Sequence, residues 1–327
     1  MLEFRNEPLA RHGHWRIGGP MERFCIVDSM AELIQVGTID HVLGNGSNLL
    51  VPDEGLLGTT VRLGAGFREL TLSADVEGAT VVRAGAGLLN AVLLHRLARM
   101  DLGGLACLAG VPGSIGGAIA MNAGTALGEI ADCIVRVEGF FTHGPKPVLG
   151  QGSAGEAAVI QTLPRSALAM RYREGGLPAG LVITTATLAV SRHNVGVEQA
   201  RITEHLSRRK ATQPLDLPSC GSVFRNPPGD HAGRLIESVG LKGWRMGNAQ
   251  ISPKHANFIV NLGDATALDV MCCIRTVWER VAAETGVRLV AEVHVMGQWP
   301  AELWPLPTER TGTDVSHHAA PPRLPGA

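Results

Sequence analysis

No stretch of this 327-residue chain is strongly basic: 29 Lys and Arg stand against 30 Asp and Glu, so nucleic acid is not an expected partner. No apolar run reaches the roughly 18–20 residues that cross a bilayer, so membrane insertion is not expected either. No C-x-x-C pair occurs among the six cysteines, and Cys272 and Cys273 are adjacent. That usage predicts reduced thiols and no zinc or other metal site. The first residues, Met1-Leu2-Glu3-Phe4-Arg5, lack the charged and apolar regions of a signal peptide. These absences predict a cytoplasmic protein whose ligands are small molecules, with no obligate protein partner evident. Aromatic residues make up only 4% of the chain, and tyrosine occurs once, at Tyr172.

Glycine is what the chain has in excess. Its 41 glycines are about twice the usual share. Many fall in two turns. The first is Leu43-Gly44-Asn45-Gly46-Ser47-Asn48-Leu49-Leu50-Val51. The second is Gly110-Val111-Pro112-Gly113-Ser114-Ile115-Gly116-Gly117, continuing to Asn122-Ala123-Gly124. Glycine lets backbone approach a ligand closely and reaches positive φ at no steric cost. Successive N–H groups in such a turn form a concave anion site, which suits a diphosphate. Two such turns on apolar strands suggest one large diphosphate cofactor held from two sides. Neither turn has the Gly-x-Gly-x-x-Gly spacing of a dinucleotide fold, so a Rossmann domain is not expected.

Apolar residues are 45% of the chain, enough for two or three domains with cores. Met30 to Val36 reads as a short helix, and Val42-Leu43 and Leu49–Val51 as strands beside the first turn. Thr80–Ala84 reads as a strand. Leu88 to Met100 has helical spacing through Leu89, Val92, Leu93 and Leu97. Strands are expected from Cys133 to Phe141 and from Leu181 to near Val190, with a polar loop over 144–157. Val195 to Lys210 reads as a helix with a basic end. A helix is expected near His231 to Val239 and a strand at Asn257 to Asn261. Asp264 is the expected cap of a helix over Ala265 to Thr285, with Leu268, Met271, Ile274, Val277 and Val281 on its buried face. Val287 to Met296 alternates as a strand, with Arg288, Glu292 and His294 opposite its apolar face. Residues 301–327, rich in Pro and small polar residues, are expected to be disordered.

The two turns and several later segments together resemble the UDP-N-acetylenolpyruvoylglucosamine reductase family over about residues 6–297. Trp15-Arg16-Ile17-Gly18-Gly19-Pro20 resembles its entry motif, and Tyr172-Arg173 its Tyr-Arg pair. Gly221-Ser222-Val223-Phe224-Arg225-Asn226-Pro227 resembles the motif of its catalytic serine, and Glu292-Val293 falls where its catalytic glutamate lies. Ala232–Glu237, Gly240–Gly243, and Ser252 with His255, Asn257 and Phe258 follow in family order. Leu235 runs to Leu241 without an insertion, as in the shorter family type. Two departures stand out: Asn45 occupies a position where the family often has glycine, and Glu174-Gly175 follow the Tyr-Arg pair.

The resemblance implies an α+β fold. A two-part FAD-binding module of the vanillyl-alcohol-oxidase/PCMH type, residues 1–63 and 64–195, is followed by a C-terminal α/β substrate-binding domain, 196–300. It implies an NADPH-dependent flavoenzyme that reduces the enolpyruvyl ether of a UDP-sugar in peptidoglycan precursor synthesis. FAD is expected to be bound non-covalently, because Gly44 to Val51 offers neither His nor Cys. Its expected contacts are Gly44, Asn45, Gly46, Ser47 and Asn48, then Gly110, Val111, Pro112, Gly113, Ser114, Gly116 and Gly117, then Asn122 and Gly124. Arg173 is the implied stabiliser of the developing enolate, since a guanidinium fork suits a carboxylate. Ser222 is the implied proton donor to carbon, and Glu292 the implied carboxyl that polarises the substrate or orients a proton. Tyr172, Lys210, Asn226 and His255 are candidate substrate contacts. Tyr172 reads equally as core, His255 as a polar residue flanking a helix, and Arg208-Arg209-Lys210 as a solvated helix end. Two other functions fit the same fold class: an FAD-dependent oxidase with another substrate, and a flavin-binding protein without catalysis. Intact Arg173, Ser222 and Glu292 argue against the second.

Overall fold

The structure, a computed structural model, describes residues 1–74, 80–142 and 160–306. The loop expected over 144–157 lies outside the described residues. Near the N-terminus β1 (Leu2–Pro8) pairs antiparallel with β2 (Pro20–Val27), and α1 (Met30–Gln35), β3 (His41–Val42), β4 (Leu49–Leu50) and β5 (Leu56–Leu63) follow. One sheet has the order β1-β2-β5-β3, with β5 parallel to both β2 and β3. Ser29 starts α1 by accepting the Glu32 N–H at 3.2 Å, and the Glu32 carboxylate accepts the Asp28 N–H at 2.7 Å.

The second part comprises β6 (Leu70–Ala74), β7 (Thr80–Gly85), α2 (Asn90–Arg99), α3 (Ile115–Ala120), the small hairpin β8 (Gly124–Thr125) and β9 (Gly128–Glu129), β10 (Ile134–Phe141), β11 (Ile160–Pro164), β12 (Leu181–Ala189) and α4 (Val195–Thr212). Five of its strands form an antiparallel sheet in the order β11-β10-β12-β7-β6.

The third part holds α5 (Ala232–Ser238), β13 (Arg245–Met246), β14 (Ala249–Ile251), β15 (Ile259–Asn261), α6 (Ala267–Thr285) and β16 (His294–Val295). Thr266, not Asp264, caps α6. The Asp269 N–H donates to Thr266 Oγ1 at 3.0 Å, and the Asp269 carboxylate accepts the Thr266 N–H at 3.1 Å. Asp264 stands in the preceding turn with φ +54°. The helix buries Val270, Met271, Cys273, Ile274, Val277 and Val281. Leu268 is 48% exposed, because in the first turn it falls outside the arc centred on Val270, Ile274 and Val277. The segment expected as a long last strand pairs only briefly, through β16 and an isolated Phe224–Ala291 bridge. Its alternation still holds, with Leu289 and Val293 buried.

Three apolar cores hold these parts together, and the N-terminal residues contribute to all of them. Val27, Leu33 and Val61 join the core under the five-stranded sheet with Val82, Ala186 and Leu188. Trp15, Ile17 and Leu50 enter the core of α5 and α6. Leu9, Met21, Phe24, Leu43, Val51 and Leu56 form a smaller core of their own.

The expectation of disorder from residue 301 is corrected for the first six positions. Leu303 and Trp304 pack against the core of α5 and α6, and Leu306 is buried in it, at 8% exposure. Three large apolar side chains in four residues outweigh the surrounding polar composition. Residues 307–327 lie outside the described residues. Leu306→Ala is expected to cost about 2 kcal/mol of unfolding free energy, read as a lower urea midpoint at unchanged slope. An unchanged midpoint would show that this segment does not dock.

Candidate active site

The two glycine turns face each other. In the first, Gly46 has φ +62°, and a Cβ there would come within 2.3 Å of the His12 carbonyl oxygen, so only glycine fits. In the second, Gly113 has φ +120°, and a Cβ there would lie 3.0 Å from Ser47 Oγ. Ser47 Oγ donates to the Pro112 carbonyl at 3.2 Å, tying one turn to the other. The turns wall a cleft of about 500 Å³. Gly44 to Asn48, Val111 to Ser114, Gly117 and Gly124 all line it. An adjoining pocket of about 140 Å³ shares Gly44, Asn45, Ser114 and Gly117 with the cleft and adds Gly116, Arg62 and Arg68.

Two expected cofactor contacts do not line either cavity. The Gly110 carbonyl instead accepts the Arg209 guanidinium. Asn122 is 1% exposed and acts as a structural hub. Its Nδ2 donates to Glu129 Oε2 and to the Arg171 carbonyl, both at 2.8 Å, and its Oδ1 accepts the Ala131 N–H at 3.2 Å. Its amide is spent on holding the loop that carries Arg173.

Arg173, Ser222 and Glu292 line the same cleft as the turns. Arg173 adopts φ +59°. Its Nε donates to Glu292 Oε1 at 3.0 Å and its Nη2 to the Gly124 carbonyl at 3.0 Å, while Nη1 lies 3.6 Å from Glu129 Oε1. The Glu292 backbone is fixed on both sides: its N–H donates to the Val223 carbonyl at 2.7 Å, and its carbonyl accepts Asn48 Nδ2 at 3.0 Å. Burial raises the Glu292 pKa above 4.5, against the lowering pull of Arg173. Ser222 follows Gly221, whose φ is +87°. The buried Asn257 holds the next residues, its carbonyl accepting the Val223 N–H and its side chain bonding both backbone groups of Phe224. Among the described residues the Ser222 hydroxyl has no hydrogen-bond partner, so it is free to meet a ligand.

The four candidate substrate contacts, Tyr172, Lys210, Asn226 and His255, are not among the residues that line the cleft. Tyr172 is 45% exposed and supports Arg173, whose guanidinium carbon sits 4.7 Å from the ring centre. Lys210 does not line the cleft, and its carbonyl accepts Lys254 Nζ. Asn226 Oδ1 accepts the Ala232 N–H at the start of α5. The His255 ring packs on Phe258 with centres 4.9 Å apart, and its Nδ1 accepts the Asn257 N–H; Phe258 is the one that lines the cleft.

Several cleft residues were not foreseen. His205 and Arg209, at i and i+4 on α4, and Gln213, just past its end, line one wall of the cleft. The spacing was the available signal, hidden in a helix end that reads as solvated. Arg209 Nε donates to Gln213 Oε1 at 2.9 Å. Cys220 also lines the cleft; burial and the nearby Glu292 push its thiol well above the ordinary range, which makes it a poor nucleophile.

Facing glycine-rich turns, opening onto a partly buried carboxyl clamped by a guanidinium, define a flavin-binding oxidoreductase site. The turns fit FAD: a Cβ at Gly44 would meet Ser114 Oγ at 3.3 Å, so the backbone is left bare where a diphosphate must approach. Residues 39–144 match the FAD binding domain family, and residues 213–296 match the UDP-N-acetylenolpyruvoylglucosamine reductase C-terminal domain. The UDP-N-acetylenolpyruvoylglucosamine reductase of Moorella thermoacetica is 41% identical over 90% of this chain and 93% of its own length. That of Anaeromyxobacter dehalogenans strain 2CP-C is 40% identical over 99% and 92%. The crystal structure of the Thermus caldophilus reductase superposes with a TM-score of 0.73 at 36% identity, covering 91% of this chain and 98% of that one. The chain belongs to the UDP-N-acetylenolpyruvoylglucosamine reductase family. Among the described residues no helix is long and apolar enough to cross a membrane.

Proposed function

We propose that this protein reduces the enolpyruvyl ether of UDP-N-acetylglucosamine enolpyruvate to UDP-N-acetylmuramate, as a cytoplasmic step of peptidoglycan precursor synthesis. The observation that carries the reading is the meeting of Arg173, Ser222 and Glu292 in the cleft walled by the two glycine turns. When bound, FAD supplies a hydride, taken from NADPH, to the methylene carbon of the ether. The chain's own residues manage the charge and the proton. Arg173, fixed by Glu292 and Gly124, faces the substrate carboxylate and stabilises the negative charge that spreads onto it. Ser222 gives its hydroxyl proton to the neighbouring carbon and regains one from solvent. Glu292 orients the guanidinium and, with its raised pKa, retains a proton to higher pH than an exposed carboxyl. In this reading residues 1–195 hold the cofactor and 196–300 bring Ser222 and Glu292 onto the substrate.

The test is spectroscopic. A yellow purified protein should bleach with NADPH and recolour with the enolpyruvyl sugar nucleotide under anaerobic conditions. Recolouring by oxygen alone would favour an oxidase. Acid precipitation should release all the colour into the supernatant, because the first turn offers no attachment point and the Cys220 thiol is suppressed. Gly113→Val should leave the purified protein largely colourless. Valine at φ +120° is strained, and its Cβ would press on Ser47 Oγ at the mouth of the turn. A yellow Gly113→Val protein would mean that the second turn does not carry the cofactor.

A further inference from the structure

Arg62 stands on β5 and lines the smaller pocket, which shares Gly44, Asn45, Ser114 and Gly117 with the cleft of Arg173, Ser222 and Glu292. Its side chain is half-buried and makes no ion pair within 4 Å with any carboxylate among the described residues. Its Nη2 donates to Asn45 Oδ1 at 3.1 Å, and its Nη1 lies 3.4 Å from His12 Nδ1. The Asn45 amide is fixed at its other end by His14 Nε2 at 3.0 Å. His12 is held in turn by Glu7 at 3.1 Å. Asn45 is the side chain through which this clamp reaches the first glycine turn. Arg68 lines the same pocket and adds a second positive charge; burial first, and Arg68 after it, lower the Arg62 guanidinium below its ordinary value. Burial and Arg62 likewise hold His14 toward its neutral form. A partly buried guanidinium facing another cation is costly unless an anion completes the site.

FAD has two flat ends joined by a diphosphate. The reacting end belongs with Arg173, Ser222 and Glu292 in the large cleft. The other end then belongs in the smaller pocket, whose walls include Leu63, Ala86, Leu177 and Val182. We propose that Arg62, held in place by Asn45, binds the phosphate of the AMP half of FAD and thereby sets the preference of this chain for FAD over FMN. The glycine turns supply backbone N–H groups to either cofactor; Arg62 adds a charged fork that only the longer one reaches.

The test is binding to deflavinated protein, followed by quenching of flavin fluorescence, with Arg62→Met against the native chain. The Kd for FAD should rise at least about tenfold, as expected for a lost charge-assisted hydrogen bond. The Kd for FMN should stay within about twofold, because FMN lacks the group that Arg62 meets. AMP, which is that half alone, should show a Kd raised by about the same factor as that of FAD. Arg62→Lys, which keeps the charge and the aliphatic stem, should recover part of the preference and serves for the same comparison if the Met variant loses its cooperative thermal transition. Equal weakening of FAD and FMN, or no weakening of FAD, would overturn the proposal.

Discussion

Ser222→Ala should slow the recolouring of NADPH-bleached protein by substrate about 10³-fold while leaving the bleaching itself at the native rate. The asymmetry follows from what each step needs. Bleaching requires only that NADPH reach the flavin. Recolouring requires a proton at carbon, and Ser222 is the hydroxyl in the cleft that no neighbour occupies among the described residues. The substitution removes one oxygen atom and leaves Gly221, which sets the turn, and Asn257, which holds Val223 and Phe224. The loop should therefore keep its shape. Stopped-flow traces of the two steps separate the cases, and equal slowing of both would make the serine structural.

The second large effect is expected at Arg173. Arg173→Lys should slow recolouring by about 10²–10³, although the charge is kept. The guanidinium uses three nitrogens at once, on Glu292, Gly124 and Glu129, and an ammonium cannot span them. Near-native recolouring by the Lys variant would show that charge alone suffices. The partner Glu292 adds a pH signature. Folding raises its pKa from 4.5, chiefly through burial, so the unfolded chain ionises first as pH rises. Below that value both states are protonated and nothing is lost. Above it the folded state loses stability until Glu292 itself ionises, after which the cost is constant. Glu292→Gln removes this titration. The thermal midpoint of the variant minus that of the native chain should therefore grow as pH rises through this window. A difference that stays flat or shrinks would mean that burial does not dominate at Glu292.

The parts of the site that were legible in the sequence are those where backbone geometry leaves no choice of residue. Gly46 must be glycine because the His12 carbonyl occupies the space of a Cβ, so the pattern survives as letters. Arg173, Ser222 and Glu292 were legible through resemblance alone, since they converge from distant segments that no periodicity connects. Side-chain direction was not legible. Lys210 and Arg209 differ by one position, which on a helix is about 100° of rotation, and only Arg209 meets the cleft. Asn122 reads as part of a cofactor turn, yet its amide is spent on Glu129 and two backbone groups. In the fold, α2, β10 and β12 follow their apolar spacing, whereas β1 is exposed along most of its length and offers no alternation to read.

The parallel pairing of β16 with β4 brings His294 and Val295 against Leu49 and Leu50. Nearby, Asp53 accepts the first N–H groups of α6, and Asn261 Nδ2 donates to the Trp15 carbonyl. During synthesis these partners emerge some 200 residues apart, far longer than a ribosome takes to release a domain of ordinary length. Leu50, Trp15 and Ile17 must wait, without their core, until the last strand arrives. A nascent chain stalled before residue 287 should therefore be a ready client for chaperones, and a fragment ending at residue 195 should not fold as a free-standing cofactor carrier.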